Sequence, residues 1–153
     1  SYYGNYTADT VQVQPNMLLN HGYYGSTPQN LDDFNTMANK FFHCPSDTLN
    51  FTIKQDDWCN MSYLYWNYTS AEALSEMGKD RPRMIVGRDD PGCIIWADKS
   101  GKGAIALGSN HPGLVNTLQL GGHVLGHPIK TADGNSWMDG WGRLPVVLDD
   151  ITD

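Results

Sequence analysis

The chain has 153 residues, enough to bury a substantial core, and combines five Trp, eight Tyr and four Phe with only 18% charged residues. Its formal net charge of −7 argues against nucleic acid and anionic membrane as partners, because both select for clustered Lys and Arg. No stretch is apolar over the length of a bilayer span, and no signal-peptide pattern is present.

Plentiful Asn, Ser, Thr and Gly suit a β-rich, loop-rich exported domain, read here as one domain over residues 1–153. Residues 1–13 form a polar, Tyr-rich lead-in, and residues 16–24 a short apolar patch closing at Gly25. Asn30 is a candidate N-cap, with Asp32 and Asp33 in the first turn, where exposed amides and the helix dipole favour carboxylates. Leu31, Phe34, Met37, Ala38 and Phe41 recur at helical spacing, so residues 31–40 are expected to form an amphipathic helix ending at His43-Cys44-Pro45. The run FFHCPSD reads as a Phe pair followed by a turn, with Pro45 fixing φ and Ser46 or Asp47 capping locally.

Residues 49–53 are expected as a small strand, 54–60 as a charged loop and 61–68 (MSYLYWNY) as an aromatic strand. Thr69 and Glu72 have capping-box spacing for a second helix reaching Gly78, with Ala71, Leu74 and Met77 as its apolar stripe. Residues 83–88 (RMIVGR) read as a strand and Asp89-Asp90-Pro91-Gly92 as a turn. The run CIIWA, residues 93–97, is apolar on both faces and therefore a central strand; residues 98–103 are another turn.

The most informative stretch is GSNHPGLVNTLQLGGHVLGHPIK, residues 108–130. Two β-prone runs, 114–120 and 123–129, flank Gly121-Gly122, and tight primed turns need the positive φ that glycine adopts freely. Leu114, Asn116, Leu118 and Leu120 alternate with Val115, Thr117 and Gln119, as a hairpin strand requires. The coarse fold is α+β: short helices on an antiparallel meander.

Few residues suggest chemistry. His123 and His127 would sit roughly 13 Å apart on one face of a strand, too far to share an ion. His111 is expected to hydrogen-bond across the turn that launches the hairpin. Ser109, His111 and Asp98 can be drawn as a triad, but no G-x-S-x-G elbow frames them. Asp89 and Asp90 are adjacent on a turn and do not make a glycosidase pair. Tyr63, Tyr65, Trp66 and Tyr68, with Trp137 and Trp141, could form a sugar-stacking platform, although cores and interfaces use the same residues. Among three cysteines, Cys44 and Cys59 flank one loop and are the choice for a disulfide, leaving Cys93 over. Sequons at Asn5, Asn50, Asn60 and Asn67 matter only in a eukaryotic secretory pathway.

His111, nine residues, then Gly121-Gly122 and His123 resembles the signature of the prepilin-type processing-associated proteins, named for a His, nine residues and Asp-Gly. HPGLVNTLQLGGHV aligns without a gap, departing at Gly121 where the family has Asp. FHCPSD (residues 42–47) resembles the family's CPSD turn, and Ser62-Tyr63 through Asn67 its following S-Y-x-x-N strand. The resemblance implies a pilin-like head: a structural, non-enzymatic subunit of an extracellular filament or type II secretion-type pseudopilus, periplasmic or at the cell surface, whose partners are other pilin or pseudopilin subunits. It also implies an N-terminal hydrophobic helix, absent from this chain and expected to have been removed, as the one route to a membrane. The alternative is a secreted carbohydrate-binding module.

The stretch 139–145 (DGWGRLP) resembles the D-x-W-G-x-P turn of type II pseudopilins, whose major members hold calcium in a C-terminal loop. Asp133, Asn135 and Asp139 offer alternate oxygen donors for such a cation, although the composition favours plain Asx and Gly turns there.

Overall fold

The computed structural model describes residues 3–5, 14–54, 58–99, 110, 111, 113–128, 145 and 147–149; for 3–5, 14–16, 53, 54 and 58–60 the description is of the backbone. The chain divides into two compact units, Ser1–Tyr63 and Leu64–Asp153.

In the first unit, β1 (Tyr3–Asn5), α1 (Gln14–Asn20), α2 (Leu31–Phe42), β2 (Thr52–Lys54) and β3 (Trp58–Asn60) follow in order. The three strands form an antiparallel sheet in the order β1-β3-β2, with Asn60 opposite both Tyr3 and Thr52. The expected loop at 54–60 thus contains the central strand of this sheet. Its charges mask a three-residue run whose extended state is fixed by ladders on both sides.

Helix α2 starts where Asn30 Oδ1 accepts the Asp33 N–H at 2.9 Å, and it runs two residues past the expected end, to Phe42. Phe34, Ala38 and Phe42 are its buried residues, an i, i+4 row. Phe41 lies beside this row and stacks on Tyr24, ring centroids 4.2 Å apart. In the CPSD turn, Asp47 Oδ1 accepts the N–H groups of Leu49 and Asn50 at 3.0 and 2.7 Å, the local cap expected there. Leu49 itself is 53% exposed and outside β2, which begins only at Thr52.

The second unit is built on a four-stranded antiparallel sheet in the order β4-β5-β6-β7: β4 (Tyr63–Tyr65), β5 (Ile94–Asp98), β6 (Leu114–Gln119) and β7 (Val124–Pro128). β5 is central, as its apolar faces require. β4 is much shorter than the aromatic run suggested. The core beneath the sheet is Leu64, Trp66, Ile94, Ala97, Val115 and Leu148, with Tyr68 packed against it.

Between β4 and β5 lies α3 (Ser70–Met77). Its capping box is complete: Thr69 Oγ1 accepts the Glu72 N–H at 3.2 Å, and Glu72 Oε2 accepts the Thr69 N–H at 2.8 Å. Gly78, at φ 70°, closes the helix in the left-handed conformation. The buried stripe is Ala73 and Met77, whereas Leu74 is 58% exposed, so the face is rotated from the expected Ala71-Leu74-Met77 row. Thr69→Ala is expected to cost about 0.5–2 kcal/mol, read from the thermal midpoint, with Thr69→Ser near the parent.

The expected strand at 83–88 does not form. Asp89 folds back so that its Oδ2 accepts the N–H groups of Met84 and Ile85 at 2.8 and 2.9 Å, consuming donors a sheet partner would need. Ile85 C=O accepts the N–H groups of Arg88 and Asp89, and Gly87 sits at φ 84°.

Candidate functional site

The signature hairpin is anchored at its base by one carboxylate. Asp98, at the end of β5, accepts through Oδ2 from the Asn116 N–H at 3.0 Å and from Asn116 Nδ2 at 2.7 Å. His111 Nε2 lies 3.5 Å from the same oxygen, and His111 C=O accepts the Leu114 N–H. The ring of His111 thus lies against Asp98, which is almost fully buried while the ring is about one-third exposed. In a hydrolytic triad the carboxylate would be hydrogen-bonded to the imidazole, whereas here Asp98 Oδ2 is taken up by Asn116. The third member drawn from the sequence, Ser109, lies outside the described residues.

At the hairpin tip the two glycines serve different ends. Gln119 C=O accepts the Gly122 N–H at 2.9 Å and Gln119 N–H donates to His123 C=O at 2.8 Å. This pattern belongs to a three-residue loop whose last member is left-handed, and Gly122 has φ 88°. Gly121 is not at positive φ. It approaches the 89–92 turn instead: its N–H donates to Pro91 C=O at 2.9 Å, and a Cβ there would lie 2.9 Å from Pro91 Cβ. Any side chain at position 121, aspartate included, would collide with Pro91.

His123 is exposed at the tip, outside β7, whereas His127 is buried in β7 with Nε2 3.0 Å from Thr117 Oγ1. The two share no ligand set, and among the described residues no group of three or more His, Cys, Asp or Glu is placed to hold a metal. Asp133, Asn135 and Asp139 lie outside the described residues, as do Trp137 and Trp141.

The aromatic platform is regrouped. Trp66 is buried in the core and leaves it. A register shift between Ile94 and Trp96 puts Ile94 in the core but Trp96 on the opposite face, paired with Leu118, which in turn pairs with Val124. Tyr65 meets Trp96 with centroids 4.9 Å apart. Tyr65, Trp96, Leu118 and Val124 thus form a row across the four strands, half-buried at the aromatic end and 68% exposed at Val124. Asp98, Asn116 and Gly126 form the next row, aromatic and aliphatic surface beside carboxylate and amide.

A buried ion pair, invisible in the sequence, ties the unit together. The Arg83 guanidinium donates to both Asp149 carboxylate oxygens, at 3.3 and 2.8 Å, and to Ile94 C=O at 2.7 Å. Asp149 Oδ1 also accepts the Ile94 N–H at 2.9 Å, and both charged side chains are fully buried. Arg81 adds a 3.7 Å contact to Asp149 and a 3.1 Å bond to Asp90. Cys93 is buried beside this cluster, and burial pushes its thiol above the ordinary value, which suits an inert rather than a nucleophilic cysteine. Cys44 is a buried thiol; its expected partner, Cys59, has its side chain outside the described residues, and the Cys44–Cys59 pairing falls there too. Of the sequons, Asn50 is buried with Nδ2 bonded to Asp47, so that nitrogen is used inside the fold.

His127 and Asp89 are two of the described groups that shape the acid response. Burial lowers the pKa of His127 below 6.5. The folded state therefore favours the neutral ring, and stability is lost as pH falls from about 6.5 through the folded value. For Asp89, bonds from Arg88 and then from the Met84 and Ile85 N–H groups hold the carboxyl well below its ordinary 3.8. Its contribution is present above pH 3.8 and lost on further acidification. Urea midpoints measured against pH should decline in two stages; His127→Gln should remove the first and Asp89→Asn shrink the second. A midpoint unchanged from neutrality to pH 5 would contradict the His127 assignment.

No protein-family model, curated protein or solved structure matches the chain.

Proposed function

We propose that the chain is the globular head of a pilin-like or pseudopilin-like protein, a structural subunit of an extracellular filament or type II secretion-type pseudopilus. It would act in the periplasm or at the cell surface, with other such subunits as partners. The observation carrying this reading is that each described signature residue has a task in the fold. His111 sits on the Asp98 anchor, Gly122 supplies the left-handed turn position, Gly121 admits Pro91, and His123 C=O closes the loop. A motif spent on shaping a hairpin suits a scaffold rather than a reaction centre. The α+β arrangement with an antiparallel sheet is compatible with such a head, and among the described residues no helix is long and apolar enough to cross a membrane. The assembly helix is the part this reading adds. Its test is the gene: upstream coding sequence should contain a prepilin cleavage site and about 20 apolar residues, and a conventional signal peptide would exclude it.

A second reading, a secreted carbohydrate-binding module, draws support from the Tyr65–Trp96 row beside Asp98 and Asn116. Under it, glycan binding should be detectable and abolished by Trp96→Ala; a blank glycan array would remove it.

A further inference from the structure

We propose that the chain cuts its own backbone between Asp90 and Pro91 in mild acid, with the Asp90 carboxylate as nucleophile. The site depends on neither the filament reading nor the carbohydrate reading.

Of the eight prolines only Pro91 follows an aspartate. Its nitrogen belongs to a tertiary amide, more basic than an ordinary peptide nitrogen and the better leaving group once protonated. The aspartate side chain is short enough for its carboxylate to close a five-membered ring on its own carbonyl carbon. Both residues are exposed, so acid and water reach the bond.

The turn adds what the dipeptide lacks. Asp90 Oδ1 accepts the Gly92 N–H at 2.9 Å, which carries the carboxylate over the Asp90–Pro91 peptide, and Arg81 Nη2 donates to Oδ2 at 3.1 Å. An unfolded chain must find that rotamer at each attempt, whereas here it is held. Asp90 C=O accepts the Cys93 N–H at 3.1 Å, so a donor already stands where negative charge would develop. Pro91 is held from the other side, its C=O accepting the Gly121 N–H at 2.9 Å. The Gly92 N–H, then Arg81 and Arg83, keep the Asp90 carboxyl below its ordinary 3.8, so it stays ionised in acid that protonates other aspartates. Of the other titratable groups around it, Asp149 shares Arg81 at 3.7 Å, Arg88 is bonded to Asp89, and the Cys93 thiol is kept neutral by burial.

The reaction balances with one water. A carboxylate oxygen adds to the Asp90 carbonyl carbon, and the carbonyl oxygen takes the negative charge against the Cys93 N–H. As the C=O reforms, the C–N bond breaks. The Pro91 nitrogen keeps the bonding pair, takes a proton from solvent and leaves as a secondary amine. Water then opens the cyclic anhydride to two carboxyls on Asp90. The halves stay joined, because Arg83 on the first bonds Ile94 C=O and Asp149 on the second, and Trp66 N–H on the first donates to Ile95 C=O.

The test is intact-mass spectrometry of the chain held at about pH 4.5, where Asp89 still supports the fold, with a matched sample in concentrated urea. The folded sample should yield residues 1–90 and 91–153, their masses summing to the parent plus one water, at least about tenfold faster than the unfolded one. Added hydroxylamine should leave a hydroxamate at Asp90, which marks the anhydride and which a contaminating protease would not produce. Asp90→Glu keeps a carboxylate for Arg81 but must close a six-membered ring, and Pro91→Ala removes the tertiary amide. Each should slow cleavage by at least about tenfold; should circular dichroism show one misfolded, the other carries the comparison. A chain that stays intact, cleavage no faster folded than unfolded, fragments without the hydroxamate, or folded variants that cut at the parent's rate would each overturn the proposal.

Discussion

Replacing Asp149 with alanine is expected to destabilise the fold by about 3–5 kcal/mol, the largest effect of any single change proposed for this chain. The reason is what remains behind. Arg83 stays fully buried, and its charge loses the carboxylate that receives two of its bonds. The Ile94 N–H, at the start of the central strand, loses its acceptor as well. Arg83→Met alone leaves a buried carboxylate still holding the Ile94 N–H, and should be nearly as damaging. Combined with Asp149→Leu, it should recover much of the loss, because a matched apolar pair carries no unpaired charge. Recovery should stop about 1–3 kcal/mol short, the penalty of the unsatisfied Ile94 N–H. Urea unfolding of the three variants reads this directly. Additive single-variant losses in the double variant would contradict the ion pair.

Placing an aspartate at position 121, Gly121→Asp, is the second. The new Cβ would lie 2.9 Å from Pro91 Cβ and 3.1 Å from Pro91 C=O, the latter being backbone that cannot simply swing away. A loss of about 1–3 kcal/mol is expected from this overpacking. Gly122→Ala is the control: nothing lies within 4 Å of its added Cβ, but φ is 88°. Its loss, about 1–2 kcal/mol, comes from left-handed strain alone. Pro91→Gly removes the nearest contact, so it should rescue part of Gly121→Asp and nothing of Gly122→Ala. Equal rescue of both would mean that Pro91 acts on the whole loop rather than on residue 121.

What could be read from the sequence was what neighbouring residues decide. Thr69 and Glu72 close their box within one turn of chain, Asn30 caps α2 through Asp33, and the β6–β7 hairpin follows from alternation around two glycines. The central place of β5 followed from its apolarity on both faces. The misreadings arose where distant partners decide. Trp58–Asn60 is a strand because β1 and β2 flank it, not because three residues demand it. Residues 83–88 have strand composition but are turned by Asp89. The shift between Ile94 and Trp96 swaps the faces that alternation would assign and brings Trp96 beside Tyr65, while Trp66, one residue after Tyr65, turns into the core. Arg83 and Asp149 are 66 positions apart, and nothing local marks either as a partner of the other. At the site itself, Asp98 and His111 came together in the sequence only within a triad that no motif supported, and Asn116 as the residue that fixes Asp98 was not legible.

The filament reading is tested most directly on fibres sheared from the surface of the native cells. Mass spectrometry of that fraction should find this chain in it, joined at its N-terminal side to an apolar helix of about 20 residues generated by prepilin cleavage. Recovery of the chain only as a soluble secreted protein, with an end left by an ordinary signal peptidase, would contradict the proposal.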